Sequence, residues 1–399
     1  MDLDQLAVLR TPEGSAALAA AGRVAGGDPL AAAAALRSAG IPGDLAAAAL
    51  TQAELRRRAA GKFGAAAAGM FLTRPGLEQA TRGVVAGRRA ARLRAAGVTT
   101  LADLGCGLGA DALAAARAGI RVYAVEADPL TAAMAAANAE AAGLADLVTV
   151  ECGDATEFDV SRVDGAFCDP ARRRAGTGRR VFDPNSYSPP WDFVTGLAAR
   201  VPRTVVKVAP GLDHALIPAG AEAEWVSVGG DLVEAALWCG ELAGVPRRAT
   251  LLRERDDAVA LLTGTGTQEA PVGPVRRFLY DPDPAVVRAH LVAELAADLD
   301  ATLADPSIAY LYADEARPTP FARCLEITDV LPFSLKRLRA LLRERRVGRV
   351  EIRKRGSALE PEKLRRDLRL SGEAAADLVL TRVAGDPTVL VCRPAPARG

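Results

Sequence analysis

Histidine is nearly absent from the sequence, which holds only His214 and His290. Its six cysteines (Cys106, Cys152, Cys168, Cys239, Cys324 and Cys392) stand alone. No CxxC pair occurs and no histidine sits at ligand spacing from a cysteine. A zinc site, a disulfide framework and His-based triad chemistry are therefore not expected, and no metal is expected. Long apolar runs are missing as well. The most apolar stretches are alanine-rich and broken by Arg, Gly and Pro, which excludes a membrane span. The opening "MDLDQLAVLR" carries two acids where a secretory leader carries a basic region and an apolar core. These absences point to a cytoplasmic protein with reduced thiols and no membrane partner. An excess of one charge is lacking too. Lys and Arg number 50 against 49 Asp and Glu, a net of +1, which excludes a uniformly basic coat but leaves room for a basic patch.

What is present is a chain of 399 residues, half of them hydrophobic, long enough for two or three domains. Residues 1–72 are Ala/Leu-rich with turn signals at "GGDP" and "GIPGD", and predict a helical N-terminal domain. From 73 to 268 short β-branched runs alternate with Ala-rich helical stretches: "VTTLADLG", "RVYAVEAD", "LVTVECGD", "VDGAFCDP", "RTVVKVAP" and "AEWVSVGG". That alternation predicts βαβ units and a parallel α/β sheet covered by helices. Residues 269–317 read as a linker and a helix, and 318–399 as a separate basic α+β domain. Nothing in the sequence specifies an oligomeric state.

The segment "LADLGCGLGADALAAA" places Gly105, Gly107 and Gly109 in a turn between strand and helix. There glycine lets the backbone approach a ligand, and the helix start offers free N–H donors. Gly105, Gly107 and Ala110 also fit the relaxed dinucleotide fingerprint, and Glu126 ends the next strand where a ribose-binding acid is expected for either cofactor class. Two features separate the classes. Asp103, inside the end of the strand, can meet a cationic amino group but would repel a pyrophosphate. Asp154, in "ECGDATEF" just past the third strand, can accept from an adenine amino group.

Asp103-x-Gly-x-Gly-x-Gly, Glu126, Asp154 and the pair Asp169-Pro170 together resemble the ordered motifs of a class I S-adenosylmethionine-dependent methyltransferase. The resemblance implies a Rossmann-like fold and S-adenosyl-L-methionine as cofactor. In that family the fourth strand ends in a [DN]PP[YFWR]-type tetrapeptide that holds the amine receiving the methyl. Here "DPAR" has Ala171 for the second proline and Arg172 for the stacking aromatic. The resemblance assigns Asp169 as the polar anchor and weak proton acceptor, with Pro170 beside it and Arg172 as a contact to a base or phosphate. Arg173, Arg174, Arg179 and Arg180 follow as either RNA contacts or a solvated loop. Lys207, an isolated charge in "VVKVAP", either reaches the acceptor pocket or pairs with a neighbouring acid. Glu78 and Gln79 in "GLEQATR" fall where such enzymes close over the methionine end, and Gln79 is taken as a cofactor contact.

Between Lys336 and Arg369 fourteen basic residues face five acids, a net of +9 in one small segment. This is the electrostatic footprint of something that tracks phosphates. It carries no aromatic, so it would read backbone and shape rather than stack bases. Arg345, Arg346, Arg353, Lys354 and Arg355 are its candidate RNA contacts. "VEIRKRGSALEP" with the strands after it resembles the THUMP-like domain fused to methyltransferases of this kind. The resemblance implies an enzyme acting on structured RNA, tRNA or rRNA, at a base nitrogen. The rival readings are a methyltransferase of a protein or small molecule, a non-catalytic RNA-binding module, and, more distantly, a nicotinamide dehydrogenase.

Overall fold

The computed structural model describes residues 1–172, 187–253 and 258–395. The chain divides into two units, Met1–Glu222 with Ala235–Gly244, and Ala223–Glu234 with Val245–Gly399.

The first unit opens with four helices, α1 (Leu3–Leu9), α2 (Pro12–Val24), α3 (Pro29–Ser38) and α4 (Gly43–Phe63). The first three begin at side-chain caps, Asp2, Thr11 and Asp28, and Pro12 and Pro29 occupy the first turn of α2 and α3, where a missing N–H costs nothing. After a short helix, α5 (Arg74–Gln79), come α6 (Gly83–Ala95), β1 (Thr100–Leu104), α7 (Ala110–Arg117), β2 (Arg121–Glu126), α8 (Pro129–Ala141), β3 (Val148–Cys152) and β4 (Gly165–Cys168). Two short antiparallel strands, β5 (Ala171–Arg172) and β6 (Tyr187–Ser188), precede α9 (Trp191–Arg200) and β7 (Thr204–Val208).

Strands run in the order β3-β2-β1-β4-β7, all parallel. The Ala235–Trp238 half of β9 (Asp231–Trp238) pairs antiparallel with β7. The chain winds outward from β1 to β3 and then returns to β4, so strand order reverses between β1 and β4. Open α/β sheets bind their ligands at that crevice.

The N-terminal helices do not keep a separate core. Leu6, Leu9, Leu36 and Leu55 share one apolar cluster with Leu77, Leu108 and Met134 of α8. Two buried amides stitch the connection. Asn138 accepts from the Phe71 amide at 2.6 Å and donates to the Phe71 and Leu108 carbonyls. Gln52 grips both backbone groups of Leu72. A buried amide that satisfies a passing backbone segment fixes its position more sharply than apolar contact does.

In the second unit, β8 (Glu222–Val228) pairs parallel with β10 (Arg247–Leu252), which pairs antiparallel with β11 (Val259–Gly264). Then follow β12 (Phe278–Pro282), α10 (Pro284–Arg288), α11 (Val292–Leu299), β13 (Thr302–Leu303), β14 (Leu311–Ala313), β15 (Ala322–Pro332), α12 (Leu335–Glu344), β16 (Val347–Lys354), α13 (Pro361–Leu368), β17 (Ala374–Val383) and β18 (Asp386–Pro394). Among the described residues these strands form a sheet in the order β13-β14-β12-β15-β18-β17-β16, with only β16–β17 parallel. Leu338 and Leu342 of α12 and Leu364 and Leu368 of α13 pack with Leu378, Leu380, Val389 and Val391. Both helices therefore cover the same face of the sheet and turn their charged sides outward. Among the described residues no helix is long and apolar enough to cross a membrane.

Candidate active site

Asp103, next to last in β1, has its side chain buried, 1% exposed. Neither carboxylate oxygen completes a hydrogen bond within the protein. Burial, with Asp111 and Asp169 adding negative charge, holds this carboxyl well above the usual carboxylate range, while Arg89 and the nearby Ala112 amide pull only part of the way back. A buried carboxyl so placed can receive a cationic group.

The turn after it runs through positive φ at Gly105 (+87°), Gly107 (+55°) and Gly109 (+83°). A Cβ at Gly107 would meet nothing within 4 Å, whereas one at Gly105 would lie 3.0 Å from the Asp169 carbonyl oxygen. The first leaves open room over the loop. The second forces the β1 and β4 loops into close approach. Glu126 accepts from the Gly107 amide at 3.0 Å and from the Asp128 amide at 3.0 Å. Glu126 and Cys152 are register partners, so Glu126 and Asp154 leave the sheet on adjacent strands. Asp154 takes the Thr156 amide and hydroxyl, each at 2.8 Å, which fixes a short acid at the rim.

Asp169 follows β4 directly, its amide donating to the Leu104 carbonyl at 3.2 Å. Its Oδ2 takes the Lys207 ammonium at 2.7 Å, and Lys207 also reaches the Thr81 hydroxyl at 3.2 Å. Of the two readings left open for Lys207, the paired one is what the fold builds, and its partner is Asp169. Pro170 is buried. Arg172 lies in β5 opposite Tyr187, and Arg173, Arg174, Arg179 and Arg180 lie outside the described residues. Burial pushes the Cys106 and Cys168 thiols up, so neither neighbour of this crevice is a nucleophile at neutral pH.

Helix α5, capped by Thr73, lies against the glycine loop. A Cβ at Gly76 would meet Leu108 at 2.8 Å. Lys62 of α4 donates to the carbonyls of Leu77, Glu78 and Ala80 at 2.7, 2.9 and 3.0 Å. The N-terminal helices thus hold the exposed end of α5, where Glu78 and Gln79 stand.

Thr81, though inside "GLEQATR", has nothing there to mark it, and Lys62 carries no motif in the sequence. Nor does Arg89, a buried cation paired with Asp111 and stacked on the Phe167 ring at 4.4 Å. An arginine on the Ala-lined inner face of α6 was the only available sign of it.

In the second unit the basic residues fall into two sets. Arg355 bonds Asp281 at 2.9 Å and Arg353 bonds it at 3.3 Å, with Glu351 also on Arg353. Lys354 pairs with Glu360 at 3.1 Å, and Arg345 with Asp329. Arg346 does not join them. It and Lys336, Arg337, Arg343, Arg349, Lys363, Arg366 and Arg369 are exposed and make no ion pair among the described residues.

Comparison with known proteins follows the same division. Residues 102–171 match the model of a methyltransferase domain, residues 322–394 that of a THUMP domain-like family, and residues 2–59 a domain of unknown function. Two curated proteins of Mycobacterium tuberculosis, from strains CDC 1551 / Oshkosh and ATCC 25618 / H37Rv, are named uncharacterized S-adenosylmethionine-dependent methyltransferases. Each is 36% identical over 360 residues, 85% of this chain and 95% of theirs. A crystal structure from Porphyromonas gingivalis W83, of a protein provisionally named a methyltransferase, superposes with a TM-score of 0.75 at 21% identity. It covers 99% of this chain and 100% of its own, and shares the fold.

Proposed function

The chain belongs to the S-adenosylmethionine-dependent methyltransferases and carries a THUMP-like domain, and on that premise we propose that it methylates a base nitrogen of structured RNA, tRNA or rRNA. The observation that carries the RNA reading is the outward surface of α12 and α13. Lys336, Arg337, Arg343, Lys363 and Arg366 stand exposed there without ion pairs among the described residues. Cations that the fold leaves uncompensated on one face, with no aromatic among them, suit a phosphate backbone. The weight of RNA contact therefore rests on these residues and Arg346 more than on Arg345, Arg353, Lys354 and Arg355, which already hold acids.

The residues present fit the cofactor. Asp103 would take its cationic amino group, the turn of Gly105, Gly107 and Gly109, with open room over Gly107, its methionine and sugar, Glu126 the ribose hydroxyls and Asp154 the adenine amine. Gln79 at the end of α5 would close the methionine side. When bound, the cofactor supplies a methyl carbon on a sulfonium, already electrophilic, so the protein's task is alignment and exclusion of water. Asp169 and the Pro170 backbone orient the acceptor's N–H, and the oxygen of Asp169 not held by Lys207 receives the proton that the nitrogen sheds. Arg172 contacts the base or the neighbouring phosphate.

The test is transfer of labelled methyl to total RNA from a strain lacking the gene. Wild type should label a discrete RNA pool. Asp169→Ala should bind cofactor and label nothing. The combination K336E/R337E/K363E/R366E should keep cofactor affinity yet lose RNA labelling, and should flatten the slope of log affinity against log salt by about 3, at roughly 0.7–0.9 per phosphate contact. Cofactor binding without labelled RNA would turn the reading toward a protein or small-molecule acceptor, whereas full RNA labelling by the charge-reversed protein would leave RNA as the acceptor and take its recognition away from the basic face.

A further inference from the structure

The geometry points to Lys207 as a positioning residue for methyl transfer: its ammonium occupies one oxygen of Asp169 and ties it to Thr81, so that the other oxygen alone is presented to the acceptor. The inference rests on the reading of Asp169 as the acceptor-holding acid.

Lys207 stands on β7, whose other side chains are buried and apolar except for Thr204 at its start. β7 pairs parallel with β4, with Val206 opposite Cys168. One step further along both strands brings Lys207 level with Asp169, at the carboxyl ends where open α/β sheets place their ligands. The ammonium bonds Asp169 Oδ2 at 2.7 Å and the buried Thr81 hydroxyl at 3.2 Å. The lysine is 15% exposed and the aspartate 34%. The cation is thus drawn in beneath the acid, and the acid faces the crevice.

A carboxylate on its own can rotate and offer either oxygen. One with an oxygen committed to a short charge-assisted bond has a single orientation. Thr81 lies two residues beyond α5, the helix that Lys62 grips by three carbonyls. The lysine therefore joins the acceptor side of the crevice to the segment that borders its cofactor side. Misplacement of a reacting group by about 1 Å costs on the order of 10²-fold in rate, so this bond bears on turnover rather than on cofactor affinity.

The experiment compares Lys207→Met, which keeps the stem and removes the charge, with Lys207→Arg, in the full chain. Lys207→Met should bind S-adenosylmethionine within about twofold of wild type, keep KM for RNA, and lose on the order of 10²-fold in kcat. Lys207→Arg should recover most of that loss. Unchanged kcat in Lys207→Met, or a fall in kcat and cofactor affinity together that arginine does not repair, would make the pair merely structural. Should Lys207→Met not fold, Lys207→Gln gives the same comparison.

Failure of the RNA reading looks different, because wild type itself would then label no RNA. The variants are then compared on whichever protein or small-molecule fraction wild type does label. An acceptor-free arm stands beside both. The chain has five lysines, so reductive ¹³C-dimethylation gives a spectrum in which Lys207 is assignable by variant. Asp169→Asn must move that resonance. If it stays put, the pair is absent in solution and the inference falls.

Discussion

Replacing Asp103 with asparagine should make the cofactor-free protein more stable while weakening its cofactor affinity. The acid is 1% exposed and neither oxygen has a hydrogen-bond partner. Leaving a buried polar group unsatisfied costs about 1–3 kcal/mol, more for a charge. An amide of the same shape removes the charge and the repulsion from Asp111 and Asp169 but keeps part of the desolvation cost. The expected gain is therefore about 1–2 kcal/mol, equivalent to a rise of roughly 2–8 °C in Tm for a unit of this size. The sign of the pH dependence follows from the raised carboxyl. Between the ordinary carboxylate range near 3.9 and the elevated folded value, the folded state holds a proton that the unfolded state has lost, so wild-type stability falls as pH rises through that window. The advantage of Asp103→Asn should be small at about pH 5 and larger at about pH 8. Affinity for the cationic cofactor should fall by about 1.5–3 kcal/mol, roughly 10- to 150-fold. Wild-type binding should also release protons, read as a buffer-dependent heat in calorimetric titration. Thermal scans at the two pH values and titration with S-adenosylmethionine decide the matter. A variant that is less stable at high pH, or that binds as wild type does, would refute the claim that Asp103 is held open for a cation.

Two further substitutions probe the frame around the crevice. Gly105→Ala places a methyl 3.0 Å from the Asp169 carbonyl at a φ of +87°. It should cost about 1–2 kcal/mol of stability and reduce kcat by pushing Asp169 aside, measured by denaturant unfolding beside single-turnover transfer. Arg92→Met should be harsher. Arg92 forks onto the fully buried Glu222 at 2.7 and 2.8 Å and stacks 3.8 Å from the Trp238 ring. Removing its cation, with the Gly244 amide still bonded to it, should cost about 3–5 kcal/mol, and Arg92→Met/Glu222→Leu should recover much of it, which unfolding of the double variant checks.

The candidate crevice is legible in the sequence because its signals are local. Gly105, Gly107 and Gly109 announce positive φ by residue type. Alternating β-branched and alanine-rich runs give the parallel sheet, and strand ends place Asp103, Glu126 and Asp169 at one edge. The rest depends on partners far apart in the chain. Lys207 meets Asp169 across 38 residues, and no periodicity announces that meeting. β12 is a five-residue strand among prolines whose place is set by β15, some forty residues on. Arg353 and Arg355 count as free positive charge in the sequence, yet both pair with Asp281, more than seventy residues earlier, and Arg353 also with Glu351.

That last pairing bears on how charge in such a chain is to be read. Where an acid and a base can meet without cost to the core, this fold joins them: Arg89 to Asp111, Arg92 to Glu222, Arg323 to Asp377, Arg353 and Arg355 to Asp281. Against that habit the unmatched groups carry information. Asp103 stays unmatched although Arg89 lies near enough to influence its charge, and Lys336, Arg337, Arg343, Lys363 and Arg366 of α12 and α13 make no ion pair among the described residues although Glu344 shares α12, while Arg365 takes Glu362. The acid is buried, where lack of a partner is expensive; the cations are exposed, where it costs little. The cost of standing alone therefore falls on Asp103, while the basic face of α12 and α13 stays solvated at little cost.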